Sequence, residues 1–89
     1  MKLYISSITD KEGKVKNDFY NKLKSNHSLY GQFYNNLKIG YPFYFLYDDD
    51  TNQCLRSSNI DNIDYVEQDK LYVIETRNSI YYIKEVEEW

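Results

Sequence analysis

Two sets of residues in this 89-residue chain are of types that could do chemistry: the segment 48–52, and the pair Cys54 and His27. Residues 48–52 read Asp-Asp-Asp-Thr-Asn, and acidic or amide side chains at alternate positions are typical of calcium-binding loops. The EF-hand pattern needs glycine at its sixth position and a bidentate glutamate at its twelfth, where this chain has Gln53 and Asn59. We therefore predict a solvated turn at residues 48–52, with no metal ion and no cofactor.

Cys54 and His27 are the second candidate for chemistry, and each is the single residue of its type. One cysteine and one histidine are too few for a zinc site, and a nucleophilic cysteine needs a neighbouring base that lowers its pKa. His27 stands in a polar segment that no sequence pattern places beside Cys54. We predict that Cys54 is a buried, inert thiol within a strand, and that the protein is not an enzyme.

The charge is divided unevenly along the chain. Residues 1–40 carry seven lysines against three carboxylates, a net charge of +4, whereas residues 41–89 carry four basic against eleven acidic side chains, a net charge of −7. Such an asymmetry can steer a charged partner towards one side of a molecule. With two arginines and a formal net charge of −3, direct binding of nucleic acid is not expected, because it needs a basic stripe.

From Tyr41 onwards the apolar residues follow the two-residue period of β-strands. The clearest strands are Leu71–Thr76 and Ile80–Val86, two β-branched and aromatic runs that form a hairpin around residues 77–79. Including this hairpin, we predict five strands, at residues 43–47, 53–58, 63–68, 71–76 and 80–86. Short connections between them predict an antiparallel meander, either a curled sheet or a small SH3-like barrel.

The first forty residues have a mixed pattern. Leu3, Tyr4 and Ile5 predict an N-terminal strand, and residues 10–13 predict a turn in which Gly13 takes a positive φ. A helical spacing follows in Phe19, Leu23, Tyr30, Phe33 and Leu37.

The polar residues 25–28, Ser-Asn-His-Ser, compete with helix formation by hydrogen bonding to the nearby backbone. We therefore predict two short helices, at residues 16–25 and 29–38, with one continuous bent helix as the alternative. Asn17 or Asp18 is the predicted N-cap, and Gly40 and Pro42 mark the predicted end.

These elements predict a single α+β domain over residues 1–89, in which an N-terminal strand and the helices pack on the meander. No apolar run approaches the roughly eighteen residues that a membrane-spanning helix needs, and no signal peptide pattern is present. We expect a cytoplasmic location and no membrane partner.

Tyrosine is the most unusual component, with eleven residues. Its ring fills hydrophobic space while its hydroxyl reaches water or a partner, so it is enriched at interfaces. A surface that combines tyrosine with carboxylates can occupy a basic groove, since carboxylates substitute for phosphates and rings for bases. The predicted partner-binding residues are Asp48, Asp49, Asp50, Glu67, Asp69, Tyr44, Glu85, Glu87, Glu88 and Trp89.

Two stretches resemble a pattern found in small uncharacterised bacterial and phage proteins. Residues 55–60 read Leu-Arg-Ser-Ser-Asn-Ile, and residues 74–83 read Ile-Glu-Thr-Arg-Asn-Ser-Ile-Tyr-Tyr-Ile. In size, acidity and tyrosine content the chain also resembles phage-encoded anti-defence proteins, anti-CRISPRs among them. That class has no common motif, so the resemblance implies no particular functional residue.

The resemblance and the charge pattern together predict a non-catalytic inhibitor from a phage or mobile element. It would bind a host defence protein, a nuclease or its complex, through the acidic, tyrosine-rich surface. One alternative is an oligomeric domain that binds a small ligand or nucleotide in an aromatic pocket. Another is a nucleic-acid-binding accessory protein.

Overall fold

A computed structural model describes residues 2–86. Three of the predicted partner-binding residues, Glu87, Glu88 and Trp89, lie outside this range. The elements in chain order are β1 (Lys2–Thr9), α1 (Asn17–Asn26), β2 (Tyr30–Phe33), β3 (Tyr44–Tyr47), β4 (Cys54–Arg56), β5 (Ile60–Val66), a 3₁₀ turn (Glu67–Asp69), β6 (Leu71–Thr76) and β7 (Ile80–Val86). Within residues 2–86 no helix is long and apolar enough to cross a membrane.

All seven strands found in the described range form one antiparallel sheet, in the order β4-β3-β2-β1-β7-β6-β5. With the single helix of this range, the sheet confirms the α+β class. The five-strand meander is wrong in two respects. The first is the number of strands, since a further strand, β2, is present. The second is their order. β1 lies inside the sheet between β2 and β7, and β4 and β5, which follow each other in sequence, occupy opposite edges.

The connection between the two edge strands requires the sheet to curl. Only residues 57–59 separate Arg56 at the end of β4 from Ile60 at the start of β5. Four Cα–Cα steps span at most about 14 Å, whereas the edges of a flat sheet of seven strands would be about 29 Å apart.

Further backbone hydrogen bonds connect the segments that meet where the sheet curls back on itself. Gly40 donates to the carbonyl of Ile60 at 2.8 Å, and Ile60 donates to the carbonyl of Tyr41 at 2.9 Å. Arg77, in the β6–β7 turn, donates to the carbonyl of Asn59 at 2.9 Å. These bonds fix the β4–β5 connection against the loop before β3 and against the β6–β7 turn.

The inward side of the curled sheet holds the hydrophobic core. Alternate residues of the strands point into it, and burying each such aliphatic or aromatic side chain contributes about 1.5–3 kcal/mol. The most deeply buried large side chains are Phe45, Ile5, Ile8, Ile60, Ile74 and Ile83.

Helix α1 packs beside β1, at a bulge in that strand. The register with β7 shifts between Ile5 and Ser7, and the carbonyl of Ile5 accepts a hydrogen bond from the hydroxyl of Tyr20 at 3.0 Å. Leu23 on the same helix is buried against the core. The predicted cap is wrong, since Lys16 holds the N-cap position and no side chain makes a capping bond there.

The predicted second helix at residues 29–38 is also wrong, as is one continuous helix, because Tyr30–Phe33 forms β2. Gly31, in the middle of this segment, lies where β2 and β3 approach each other closely. A Cβ on this residue would collide with the carbonyl group of Leu46 on β3, and it would lie 2.8 Å from Cε1 of Phe45. The glycine thus marks a close approach of two strands, and the apparent helical spacing of Tyr30, Phe33 and Leu37 is coincidental.

Two other boundaries differ from the predictions. Gly40 ends no helix; it has a φ of +91° in the turn that pairs with Ile60. The predicted loop at residues 59–62 is mostly strand, because β5 begins at Ile60.

Two predicted turns are confirmed. Gly13 takes a φ of +90°, and the Asp10 carboxylate accepts hydrogen bonds from the backbone amides of Glu12 and Lys14 at 3.0 and 2.9 Å. The β6–β7 hairpin also forms as predicted, without a positive φ at Asn78 in its turn. Within this turn the buried Thr76 hydroxyl donates to the carbonyl of Ser79 and accepts from its amide, at 2.9 and 3.2 Å.

Candidate functional site

The predicted partner-binding residues lie on several separate elements. Residues 48–50 lie in the β3–β4 loop, whereas Glu67 and Asp69 belong to the 3₁₀ turn between β5 and β6. In the sheet order, β2, β1 and β7 lie between the β3–β4 pair and the β5–β6 pair. Glu85 is on β7, close to the 3₁₀ turn, since its amide donates to the carbonyl of Lys70 at 2.8 Å.

Within the β3–β4 loop, Asp49 is a structural residue. Its carboxylate accepts hydrogen bonds from the amide and hydroxyl of Thr51, at 3.0 and 2.5 Å, and from the amide of Ser28 at 3.1 Å. The hydroxyl of Thr51 and these amides hold the pKa of Asp49 down at about 2. Asp49 therefore ties the loop to the segment between α1 and β2.

His27 belongs to the same cluster. Its Nδ1 lies 3.2 Å from Oδ2 of Asp49 and 3.3 Å from the hydroxyl of Thr51. The imidazole stacks flat on the ring of Tyr47 at 4.0 Å, and burial raises the pKa of that tyrosine to about 12. Thr51 and Asp49 thus contact the same ring nitrogen and orient the histidine within this cluster.

The other two aspartates of the loop differ from each other. Asp48 forms an ion pair with Lys2 at 2.8 Å. Asp50 is exposed and makes no hydrogen bond or ion pair with any residue that the structure describes. The loop thus presents one free carboxylate where the sequence suggested three.

A second acidic region surrounds the end of β5 and includes an aromatic pair, the exposed Tyr65 and the half-buried Tyr72. The rings of Tyr65 and Tyr72 are 4.8 Å apart, and Tyr72 meets the core residue Phe33 edge to face at 5.5 Å. Hydrogen bonding to the Glu85 carboxylate raises the pKa of Tyr65, while burial and then the charge of Glu85 raise the pKa of Tyr72. The two phenols and this carboxylate therefore form one cluster.

We call the exposed end of this region the β5 surface; it comprises Asp64, Tyr65, Val66, Glu67 and Asp69. Tyr65 and Val66 are 42% and 38% exposed. Neither Glu67 nor Asp69 forms an ion pair with another residue between positions 2 and 86. Glu67, Asp69 and Glu85 were predicted from the sequence, whereas Tyr65 was not; its position directly after Asp64 and two residues before Glu67 was the available signal.

The outer edge of β5 is open. This strand pairs with β6 on one side, and in the described chain its other side is bonded only at Ile60. The backbone groups of the last part of the strand are thus available for a further strand.

Tyr44 and Cys54 lie elsewhere. Tyr44 is on β3, where it is the cross-strand partner of Arg56 on β4. Cys54 is exposed at the edge of the sheet, so the prediction of a buried thiol is wrong. Leu55 takes the inward position of this short strand, and the alternation turns Cys54 outwards.

Comparison of the chain with family models, with curated proteins and with solved structures gives no match. Its function must therefore be argued from its own geometry. Among residues 2–86 no group of three or more histidine, cysteine or acidic side chains could hold a metal ion. The two candidate features are the β5 surface and a groove that contains both arginines.

Proposed function

We propose that this chain is a non-catalytic binding protein whose β5 surface docks a basic, extended segment of a partner. The observation that carries this proposal is the open edge of β5, where the exposed Tyr65 lies close in sequence to Glu67 and Asp69, two carboxylates without an ion-pair partner in the described chain. An extended peptide can add to such an edge, where main-chain hydrogen bonds supply affinity and alternate side chains supply specificity.

The chemistry of the surface favours a basic occupant. Glu67 and Asp69 have no ion-pair partner in the described chain, so a lysine or arginine would not have to displace one. The face of Tyr65, beside Glu85, can also accept a cation, an interaction of about 0.5–2 kcal/mol.

The same charges disfavour a second copy of this chain at the edge. Two β5 strands paired with each other would bring the acidic residues of both copies together, and like charges on neighbouring strands are destabilising. A basic partner removes that repulsion, which is why we place it there in preference to a homodimer.

For the class of partner, we propose a nucleic-acid-handling enzyme of a bacterial defence system. Such enzymes bind phosphates in basic grooves, and carboxylates with aromatic rings can fill the same grooves. The resemblance in size, acidity and tyrosine content to anti-CRISPR proteins supports this class. The resulting activity is inhibition by occupation of a surface, without a chemical step.

The docking step can be tested with synthetic peptides. A peptide of alternating lysine and valine should bind and shift the amide NMR signals of residues 62–66, and its affinity should fall as salt rises because the contact is electrostatic. A matched peptide of alternating glutamate and valine should not bind. Equal binding of both peptides, or shifts confined to other strands, would contradict docking at β5.

Paired variants test the contribution of the carboxylates. Replacing Glu67 by Gln and Asp69 by Asn should weaken the lysine peptide about tenfold, from the loss of two close charges. The control replaces Glu12 by Gln and Asp18 by Asn, which removes the same charge from exposed positions outside the β5 surface. If both double variants weaken binding equally, only net charge matters.

The partner class needs its own experiment. Purified protein added to cleavage reactions of bacterial RNA-guided nucleases should inhibit one of them, and the Glu67 and Asp69 double variant should relieve that inhibition. Peptide docking without inhibition of any nuclease would remove the defence assignment and leave the docking surface standing.

A further inference from the structure

The two arginines of the chain line one groove. Arg56 ends β4 and Arg77 stands in the β6–β7 turn, 21 positions apart in sequence. The groove between them has a volume of about 690 Å³, and its remaining lining residues are Ser57, Ser58, Asn59 and Asn78. Every lining side chain is thus cationic or a neutral hydrogen-bonding group, and none is acidic.

Neither guanidinium is used by the fold. In the part of the chain that the structure describes, Arg56 and Arg77 make no side-chain hydrogen bond and no ion pair, and both residues are exposed. This is unexpected in a chain with fourteen acidic residues. The acids closest in sequence to the groove segments, Asp61 and Glu75, are both held by Lys11, at 3.4 and 2.6 Å.

The segments that carry the arginines are held firmly together. The amide of Arg77 donates to the carbonyl of Asn59, and the amide of Asn78 donates to the hydroxyl of Ser58 at 3.2 Å. Lys16 approaches the same turn, where its Nζ donates to the carbonyl of Asn78 at 3.0 Å and to the hydroxyl of Ser79 at 2.7 Å. The groove is therefore preorganised, and a third cation stands at its border.

We propose that this groove is a binding site for the phosphate group of a small ligand. The planar guanidinium matches phosphate oxygens in a bidentate manner and remains charged at all physiological pH values. The hydroxyl of Ser58 and the side-chain amides of Asn59 and Asn78 can donate further hydrogen bonds to the same anion. This site lies at the start of β5, and the β5 surface begins about 13 Å further along the strand, so the two sites share no residue.

Beside the two arginines, Tyr44 offers a second contact for a nucleotide. It is the cross-strand partner of Arg56, and such partners have Cβ atoms about 5 Å apart on the same face of the sheet. Its half-buried ring stands beside the groove, where a base can stack on it. Inorganic phosphate has no base that could stack on this ring. The contribution of Tyr44 therefore distinguishes a nucleotide from inorganic phosphate as the ligand.

The test is isothermal titration calorimetry at low ionic strength with two probes, inorganic phosphate and AMP. Saturable binding is expected, and it should weaken at least about tenfold in Arg56→Gln and in Arg77→Gln, because hydrogen bonds to charged groups are lost. The control Lys84→Gln removes an exposed positive charge from β7 and should leave the affinity within about twofold.

The two probes distinguish the ligand. Equal affinity for phosphate and AMP assigns the site to the phosphate alone, whereas tighter AMP binding that is lost in Tyr44→Ala assigns it to a nucleotide. Amide NMR shifts should fall on Asn59, Arg77 and Asn78 with either probe. Absence of saturable binding for both, or equal weakening in Lys84→Gln, overturns the proposal. Thermal unfolding of each variant establishes that it is folded, which we expect because neither arginine side chain has a partner in the described fold.

Discussion

Gly31 on β2 and Leu46 on β3 approach so closely that no side chain fits between them. A Cβ at Gly31 would overlap the backbone carbonyl of Leu46 and would lie 2.8 Å from Cε1 of Phe45. Gly31 is also the Cα partner of Leu3 on β1, so it stands where three adjacent strands of the sheet meet. This close strand contact thus depends on one glycine.

Replacing Gly31 by alanine should lower the free energy of unfolding by about 2 kcal/mol or more, because the added methyl group must displace backbone. Urea unfolding followed by circular dichroism measures the change. The matched control is Gln32→Ala, an exposed change in the same strand that should stay within about 0.5 kcal/mol. Equal effects of the two substitutions would show that the strands separate easily.

The sequence predicted the individual strands of the second half better than their arrangement. The alternation in Leu71–Thr76 and Ile80–Val86 is strong, and both strands form with the predicted bounds. The position of β1 in the middle of the sheet could not be predicted, because the pairing of Ile5 with Ile83 joins residues 78 positions apart. Nothing local in either segment encodes that partner.

The candidate sites show a similar limit. Charge counting along the chain identified acidic segments, but it could not show that Asp49 is bonded within its loop while Glu67 and Asp69 are free. The groove of Arg56 and Arg77 was missed because it forms only when the sheet curls. A side chain's availability depends on tertiary contacts, which sequence spacing does not contain.

Thr76 tests the turn that carries Arg77. Thr76→Val keeps the shape of the side chain but removes the hydroxyl that accepts from the buried amide of Ser79, while the carbonyl of Ser79 keeps its bond from the amide of Thr76. The unpaired amide should cost about 1–3 kcal/mol of stability. Thr76→Ser retains the hydroxyl and should cost less. Chemical denaturation of both variants provides the comparison, and a more stable valine variant would contradict this role.

Asp49 should make stability depend on acid pH. Its pKa is about 2 in the folded protein and close to the ordinary value of about 4 when unfolded, so its contribution is complete above pH 4 and disappears as the pH falls towards 2. Asp49→Asn should lower Tm at pH 6 and flatten its decline between these pH values. Asp50→Asn, which changes a carboxylate with no partner in the described chain, should reproduce the parent curve.

The Tyr65–Glu85 contact can be measured by titration. Because the carboxylate disfavours a phenolate beside it, Glu85→Gln should lower the pKa of Tyr65 towards its ordinary value of about 10. The pKa of Tyr72 should fall less, since burial is the larger cause of its elevation. Tyrosine ring signals followed by NMR at alkaline pH report both changes. Glu12→Gln is the control and should move neither signal.

Cys54 should react with a thiol reagent in the folded state, because it is exposed at the edge strand β4. Its labelling rate with a chromogenic disulfide should change by less than about tenfold on denaturation, whereas a buried thiol is protected in proportion to the free energy of opening. Cys54→Ser should alter the unfolding free energy by no more than about 0.5 kcal/mol, since the side chain fills no part of the core.

Leu55→Ala on the same strand is the internal comparison. That residue is 7% exposed, and its truncation should cost about 2–5 kcal/mol. Strong protection of Cys54, or a cost for Cys54→Ser similar to that for Leu55→Ala, would mean that β4 presents the opposite face to the core.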